Sequence, residues 1–229
     1  MSPDPGLMVV HLGVKQTGVF EPDSLRKICD DFCSNNGQIV YVSTVGSVSQ
    51  AVFMLLSKDV VALKIFQSGL NRCGFELTLT YVSITEVSEY AQGMPQPMKD
   101  LRLYPSLPPE GFTSWCFYPM SKRRSGSYNW YLLDYEARDL LMRAHGAVGR
   151  KFAGRVVQLV TGSTGVDNYE WGVTLFAKAP TDLKEVVYRM RYDEASAKYA
   201  DFGDFIFGFV VEDLEELTKL NRWNECTPK

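Results

Sequence analysis

Gln38-Ile39-Val40-Tyr41-Val42-Ser43-Thr44-Val45-Gly46-Ser47-Val48-Ser49-Gln50-Ala51-Val52-Phe53-Met54-Leu55-Leu56-Ser57 sets two apolar runs on either side of Gly46-Ser47. Runs bounded by such turn residues read as paired strands, here over 38–45 and 51–57. Upstream, 22–35 reads as a helix with Leu25, Ile28 and Phe32 on one face, after a strand over 7–14. Downstream, a helix over 60–70 and a strand over 76–87 complete a βαββαβ order.

The second half repeats that order: strand 115–119, helix 134–152, strand 155–160, strand 169–177, helix 182–192 and strand 205–211. The expected class is therefore α+β, with two tandem ferredoxin-like repeats. Between them, 92–111 carries Pro95, Pro97, Pro105, Pro108 and Pro109 and reads as an irregular connector. This divides the chain into a first repeat over 1–92, a connector over 93–111 and a second repeat over 112–229. Two such sheets packed face to face make one pseudo-symmetric, dimeric α+β barrel-type unit.

A hydrophobic content of 45% over 229 residues is enough to bury a large core. The formal net charge of −3 argues against a nucleic-acid or membrane-surface partner, either of which favours a basic excess. No apolar run approaches the roughly 18 residues of a membrane span, and the first residues lack a basic leader, so a soluble, cytoplasmic protein is expected. The cysteines Cys29, Cys33, Cys73, Cys116 and Cys226 are scattered and odd in number, as expected of free thiols in a reducing compartment. Cys29 and Cys33 have i, i+4 spacing, but without a second ligand pair they read as helix-packing residues rather than a metal site.

The chain has two histidines. His11 lies in an apolar strand. His145 recurs with Leu141, Met142, Val148 and Phe152 at helical spacing, either as a core residue or as the first candidate to ligate a metal macrocycle. On the next strand, alternation puts Gln158 in one row with Val156 and Val160, an amide that is either a structural hydrogen-bonder or a neutral polar group over a ligand. Tyr118, Met120 and Lys122 share a face if their strand continues that far. Arg102, Lys122, Arg123, Arg124, Arg138, Arg150 and Arg155 concentrate positive charge in this region of an acidic chain. That pattern suits either solvated loops or a ligand with several carboxylates, which guanidinium groups bind bidentately. Thr161-Gly162-Ser163-Thr164-Gly165 lacks the lysine and following helix of a phosphate loop and reads as a hairpin turn.

Several stretches together resemble the chlorite dismutase-like superfamily, and most closely its coproheme decarboxylase branch. They are Arg102-Leu103-Tyr104-Pro105, Phe117-Tyr118-Pro119-Met120-Ser121-Lys122-Arg123-Arg124, Asn129-Trp130-Tyr131, His145-Gly146, Gly149-Arg150, Tyr169-Glu170-Trp171-Gly172 and Met190-Arg191-Tyr192-Asp193-Glu194-Ala195-Ser196-Ala197. Phe152 stands where relatives often carry tyrosine, a change that leaves every catalytic group in place. The resemblance implies two ferredoxin-like repeats with haem in the C-terminal one, and assembly of subunits into rings, commonly pentamers. It implies that His145 is the proximal iron ligand, Gln158 the distal residue, Tyr118 the redox-active tyrosine and Lys122 the lysine beside the reacting propionates. Arg102, Tyr90, Arg150 and Ser196 correspond to propionate-anchoring positions, and Met120 to a pocket residue. The implied reaction is oxidative decarboxylation of coproheme (iron coproporphyrin III) to haem b with hydrogen peroxide. The alternatives are a chlorite dismutase or haem peroxidase, against which the neutral Gln158 speaks, and a non-catalytic haem-binding protein, which would need neither Tyr118 nor Lys122.

Overall fold

In the computed structural model, which describes residues 6–91 and 93–225, the first repeat runs β1 (Met8–Gln16), α1 (Pro22–Ser34), β2 (Gln38–Thr44), β3 (Ala51–Ser57), α2 (Val60–Arg72) and β4 (Phe75–Thr85). Expectations that fell on residues 1–5, Gln92 and Cys226 lie outside the described residues. A helix α3 (Gln96–Leu103) leads to the second repeat, β5 (Ser114–Lys122), α4 (Tyr135–Arg150), β6 (Val156–Gly162), β7 (Trp171–Ala177) and α5 (Pro180–Met190). The short α6 (Glu194–Ala197) follows, then a fourth strand split into β8 (Ala200–Phe202) and β9 (Ile206–Val210), and finally α7 (Leu214–Leu220).

Strand order is the same in both repeats, β2-β3-β1-β4 and β6-β7-β5-β9. β4 joins β6 through Ile84 and Thr85, and β2 joins β9 through Val42 to Thr44. Each repeat thus pairs the outer strands of the other and the sheet closes on itself, which removes the edges an open sheet would leave.

Alternation along the strands then defines three apolar layers. Val9, Val52, Met54, Trp115, Phe117 and Phe176 fill the barrel interior. Val10, Leu12, Phe53 and Leu55 point outward beneath α1, α2 and α7. Cys116, Tyr118, Val173 and Leu175 point outward beneath α5. Burying one such side chain contributes about 1.5–3 kcal/mol, so these layers dominate the stability of the fold.

Two sequence expectations change. The connector is not wholly irregular, because Pro95 occupies the N-cap of α3 and Pro97 its first turn, where a missing N–H interrupts no helical bond. The hairpin expected after β6 is present, with β6 and β7 paired antiparallel from Gly162 opposite Trp171, but its turn extends beyond Gly165. It forms a longer loop before β7, pinned to the first repeat where the Asp167 carboxylate accepts the Val82 N–H at 2.9 Å.

β5 continues to Lys122, so Tyr118, Met120 and Lys122 do share the outer face. Pro119 has no N–H to donate, and the neighbouring strand breaks opposite it, with β9 pairing Ser114 to Phe117 and β8 pairing Met120 to Lys122. Gly203 occupies the break because a Cβ there would lie 2.7 Å from Pro119 Cγ and 2.8 Å from the Tyr169 ring. The chain kinks outward at this point, and Phe205 stacks on Tyr118 with ring centroids 4.3 Å apart.

The repeats differ in one respect. α1 buries Leu25, Cys29 and Phe32 against the sheet, whereas α4, in the equivalent place, has no fully buried residue. Its Asp134 cap is sound, with the carboxylate accepting the Ala137 N–H at 2.7 Å. The helix is well formed but stands off the sheet, leaving a cavity beneath it.

Candidate functional site

The cavity measures about 850 Å³. Sites for small organic ligands typically span about 300–1,000 Å³. The sheet contributes Tyr118, Met120, Lys122, Gln158, Val160 and Trp171, while α4 and the segments after it contribute Arg138, Met142, His145, Arg150, Met190, Arg191 and Ser196. Tyr90 enters from the turn after β4 and Arg102 from the last turn of α3. All nine residues singled out in the sequence, Tyr90, Arg102, Tyr118, Met120, Lys122, His145, Arg150, Gln158 and Ser196, therefore line one cavity. Tyr90 comes from the stretch assigned to the first repeat.

His145 is not a core histidine bonded to a backbone carbonyl. Its Nδ1 lies 2.7 Å from Asp193 Oδ2, and the side chains of the two residues are 27% and 3% exposed. The same oxygen accepts the Ser196 N–H at 3.1 Å and the Ser196 hydroxyl at 3.3 Å. A carboxylate at Nδ1 fixes the ring orientation and leaves Nε2, which has no partner among the described residues, free to meet a ligand in the cavity. His11, by contrast, is fully buried inside the barrel, stacked on Phe117 at 4.0 Å with Nε2 3.1 Å from Thr174 Oγ1. Burial pushes its pKa down to about 3.

Lys122 projects into the cavity at the end of β5. Its ammonium lies 4.1 Å above the Trp130 ring and donates to the Ala195 carbonyl at 3.2 Å. Burial pushes its pKa down to about 8, against the opposing pull of Asp193 and Glu170. Tyr118 is buried against Phe205 and Phe202, and its hydroxyl has no hydrogen-bond partner among the described residues. Burial raises its pKa, assisted by Cys116 and opposed by the Arg191 cation. The Gln158 amide faces the open cavity without a protein partner among the described residues, while its strand neighbour Leu159 points into the barrel.

The charge balance of the lining is one-sided. Arg102, Lys122, Arg138, Arg143, Arg150 and Arg191 face it against Glu86 and Glu89. Of these cations only Arg143 forms an ion pair within the described residues, at 2.7 Å from Asp139. The Glu86 carboxylate accepts from Trp171 Nε1 at 3.2 Å. A single imidazole amid unpaired cations suits an iron held mainly by a macrocycle that carries carboxylates.

Trp130, Arg191 and Asp193 stand within the stretches that carry the resemblance, but sequence reasoning gave none of them a role in this site. Asp193 is recognisable locally as the N-cap of α6, because Ser196 follows at the capping distance. Its reach to His145, 48 residues away in the chain, has no local signal.

The structure is an α+β barrel of two ferredoxin-like repeats with a basic, single-histidine cavity under one of them. The chain belongs to the chlorite dismutase family, whose model matches residues 23–211. It is 41% identical over 201 residues to the coproheme decarboxylase of Staphylococcus carnosus, covering 83% of this chain and 79% of that protein. It is 40% identical over 227 residues to the coproheme decarboxylase of Staphylococcus saprophyticus, covering 93% and 90% respectively. A solved heme-binding protein from Thermus thermophilus superposes with a TM-score of 0.86 at 30% identity, covering 96% of each chain. The imidazole complex of chlorite dismutase from Candidatus Nitrospira defluvii, at TM-score 0.77 and 15% identity over 95% of this chain and 96% of that one, shares the fold.

Proposed function

We propose that this chain is a coproheme decarboxylase, converting iron coproporphyrin III to haem b by peroxide-dependent oxidation. The observation that carries this reading is the meeting, in one cavity, of an imidazole fixed at Nδ1 and open at Nε2 with five cations that have no ion-pair partner among the described residues. Identity of about 40% to two coproheme decarboxylases supports it.

In this reading His145 would hold the iron through Nε2, and Arg102, Arg150, Tyr90 and Ser196 would hold propionates. Lys122, in its ammonium form, holds the carboxylate about to be lost. When bound, the iron porphyrin supplies the redox centre at which hydrogen peroxide is reduced. Tyr118 would yield its phenolic hydrogen as a proton and an electron and regain a hydrogen atom from the β-carbon of the adjacent propionate, both of the electrons removed going to hydrogen peroxide, which becomes water. Net removal of two electrons and a proton, with release of carbon dioxide, turns that side chain into a vinyl group. Buried among aromatic rings, the phenol is shielded from water during this exchange. Neutral Gln158 leaves the opposite wall without a fixed charge, which disfavours chlorite chemistry. Met120 packs against the macrocycle.

The proposal includes a division of labour between repeats, with the first closed by the packing of α1 and the second open under α4. It also includes ring assembly of subunits and a cytoplasmic location. No helix among the described residues is long and apolar enough to cross a membrane. The test of the site is spectroscopic: His145→Ala should lose the five-coordinate ferric spectrum of the coproheme complex, and His11→Ala should keep it. The reverse outcome would refute the ligand assignment, and sustained oxygen release from chlorite would refute the reaction.

A further inference from the structure

Glu170, immediately before β7, carries a buried carboxylate and is not among the residues that line the cavity. Its Oε2 accepts the Lys122 N–H at 2.7 Å, and the carboxylate also accepts from the Tyr131 hydroxyl. Lys122 ends β5 and Tyr131 belongs to a 3-10 turn over Trp130–Leu132, so one carboxylate ties together the two ends of the loop 123–129. The Trp130 N–H closes that loop on the Arg123 carbonyl at 2.9 Å. Glu170 is itself fixed to the same strand end, its N–H lying 3.1 Å from the Met120 carbonyl oxygen and 3.2 Å from Ser121 Oγ. From the two ends of the loop, the Lys122 ammonium and the Trp130 ring enter the cavity in contact, 4.1 Å from nitrogen to ring centroid.

Burying a carboxylate is costly unless its partners compensate. The one ion pair Glu170 makes among the described residues, with the exposed Arg124 guanidinium at 3.8 Å, is of a kind that contributes little. A glutamine could accept from the same two donors without that cost, so hydrogen bonding alone does not account for a charge here. Lys122 does account for it, because burial disfavours its ammonium form and the charges of Asp193 and then Glu170 oppose that effect. We infer that Glu170 is a positioning residue for Lys122, setting through the backbone bond where that side chain enters the cavity and holding Trp130 beneath its ammonium through Tyr131. The inference rests on the porphyrin reading above and adds a residue that touches no substrate and acts through one that does. In that reading Lys122 meets a carboxylate that coproheme has and haem b lacks, so the influence of Glu170 is confined to coproheme.

The test is a double-mutant cycle read by absorbance titration with ferric coproheme and with haem b. Glu170→Gln keeps the shape and one acceptor oxygen and deletes the charge. It should weaken coproheme binding by about tenfold, the difference between a hydrogen bond to an ionised group and one to a neutral group, while changing haem b binding by less than about threefold. In a Lys122→Met background the same substitution should change coproheme affinity by less than about threefold, because the residue through which it acts is gone. Tyr131→Phe deletes one hydroxyl from a half-exposed ring, so the fold survives, and its smaller loss of coproheme affinity should likewise vanish in Lys122→Met. Equal losses in the wild-type and Lys122→Met backgrounds, or equal weakening of both porphyrins, would show a role in structure only and overturn the inference. Unchanged coproheme affinity in folded Glu170→Gln, or in Tyr131→Phe if that variant does not fold, would overturn it too. Those outcomes leave the porphyrin reading standing, whereas wild-type protein that bound neither porphyrin would sink that reading and the inference together.

Discussion

Asp193→Asn changes charge with almost no change of volume at a side chain that is 3% exposed, so its effects separate electrostatics from packing. Oδ2 of Asp193 accepts from His145 Nδ1 at 2.7 Å and from Ser196 at two points, and its charge favours the ammonium form of Lys122. A hydrogen bond to an ionised group contributes about 1.5–3 kcal/mol and a neutral one about 0.5–1.5, so the His145 contact alone should lose about 1–1.5 kcal/mol. That corresponds to roughly tenfold in the affinity of any metal held at Nε2.

The second effect has a defined sign. The Lys122 pKa is pushed down to about 8, so its ammonium is present below that pH and lost above it. Coproheme affinity in wild-type protein should therefore decline as the pH rises through about 8. Removing the Asp193 charge lowers the Lys122 pKa further, and in Asp193→Asn the decline should begin at lower pH. Absorbance titrations with ferric coproheme between neutral and alkaline pH measure both effects. An unchanged affinity together with an unmoved or upward-shifted pH midpoint would refute the reasoning.

Tyr118→Phe keeps the ring stacked on Phe205 and deletes the phenolic hydrogen, so coproheme affinity should fall by no more than about a hundredfold while single-turnover decarboxylation collapses. Gly203→Ala forces a methyl group against Pro119 and Tyr169 and should destabilise the protein by about 1–3 kcal/mol in urea unfolding. His11 is held neutral by burial, with its pKa pushed from 6.5 to about 3, while the unfolded chain takes up a proton near 6.5. Its stability contribution is thus complete above about pH 6.5 and is lost as the pH falls toward about 3. His11→Phe should flatten that part of the acid-unfolding profile.

The two repeats were legible because strands covered on both sides read as continuous apolar runs, as along β1, β3 and β5, and the helices between them keep helical spacing. Gln158 was correctly set in one row with Val160, since alternation survives in a strand whatever it faces. α3 was hidden because its prolines, read as breakers, occupy the cap and first turn, where they are tolerated. The gap beneath α4 has no local signature at all. Leu141, Met142 and His145 have the spacing of a buried face whether the space before them holds protein or a ligand, and only comparison with the closed packing of α1 separates the cases. The link from His145 to Asp193 and the approach of Lys122 to Trp130 are tertiary contacts that spacing along the chain cannot encode.

The claim that this chain decarboxylates coproheme is tested most directly by mixing the purified protein with ferric coproheme, adding hydrogen peroxide in steps and following the porphyrin by mass. The account predicts successive loss of two carboxyl groups with haem b as the end product in wild-type protein, and unconverted coproheme in Tyr118→Phe. Bleaching of bound coproheme by peroxide without any loss of carboxyl groups in the wild-type protein would contradict it.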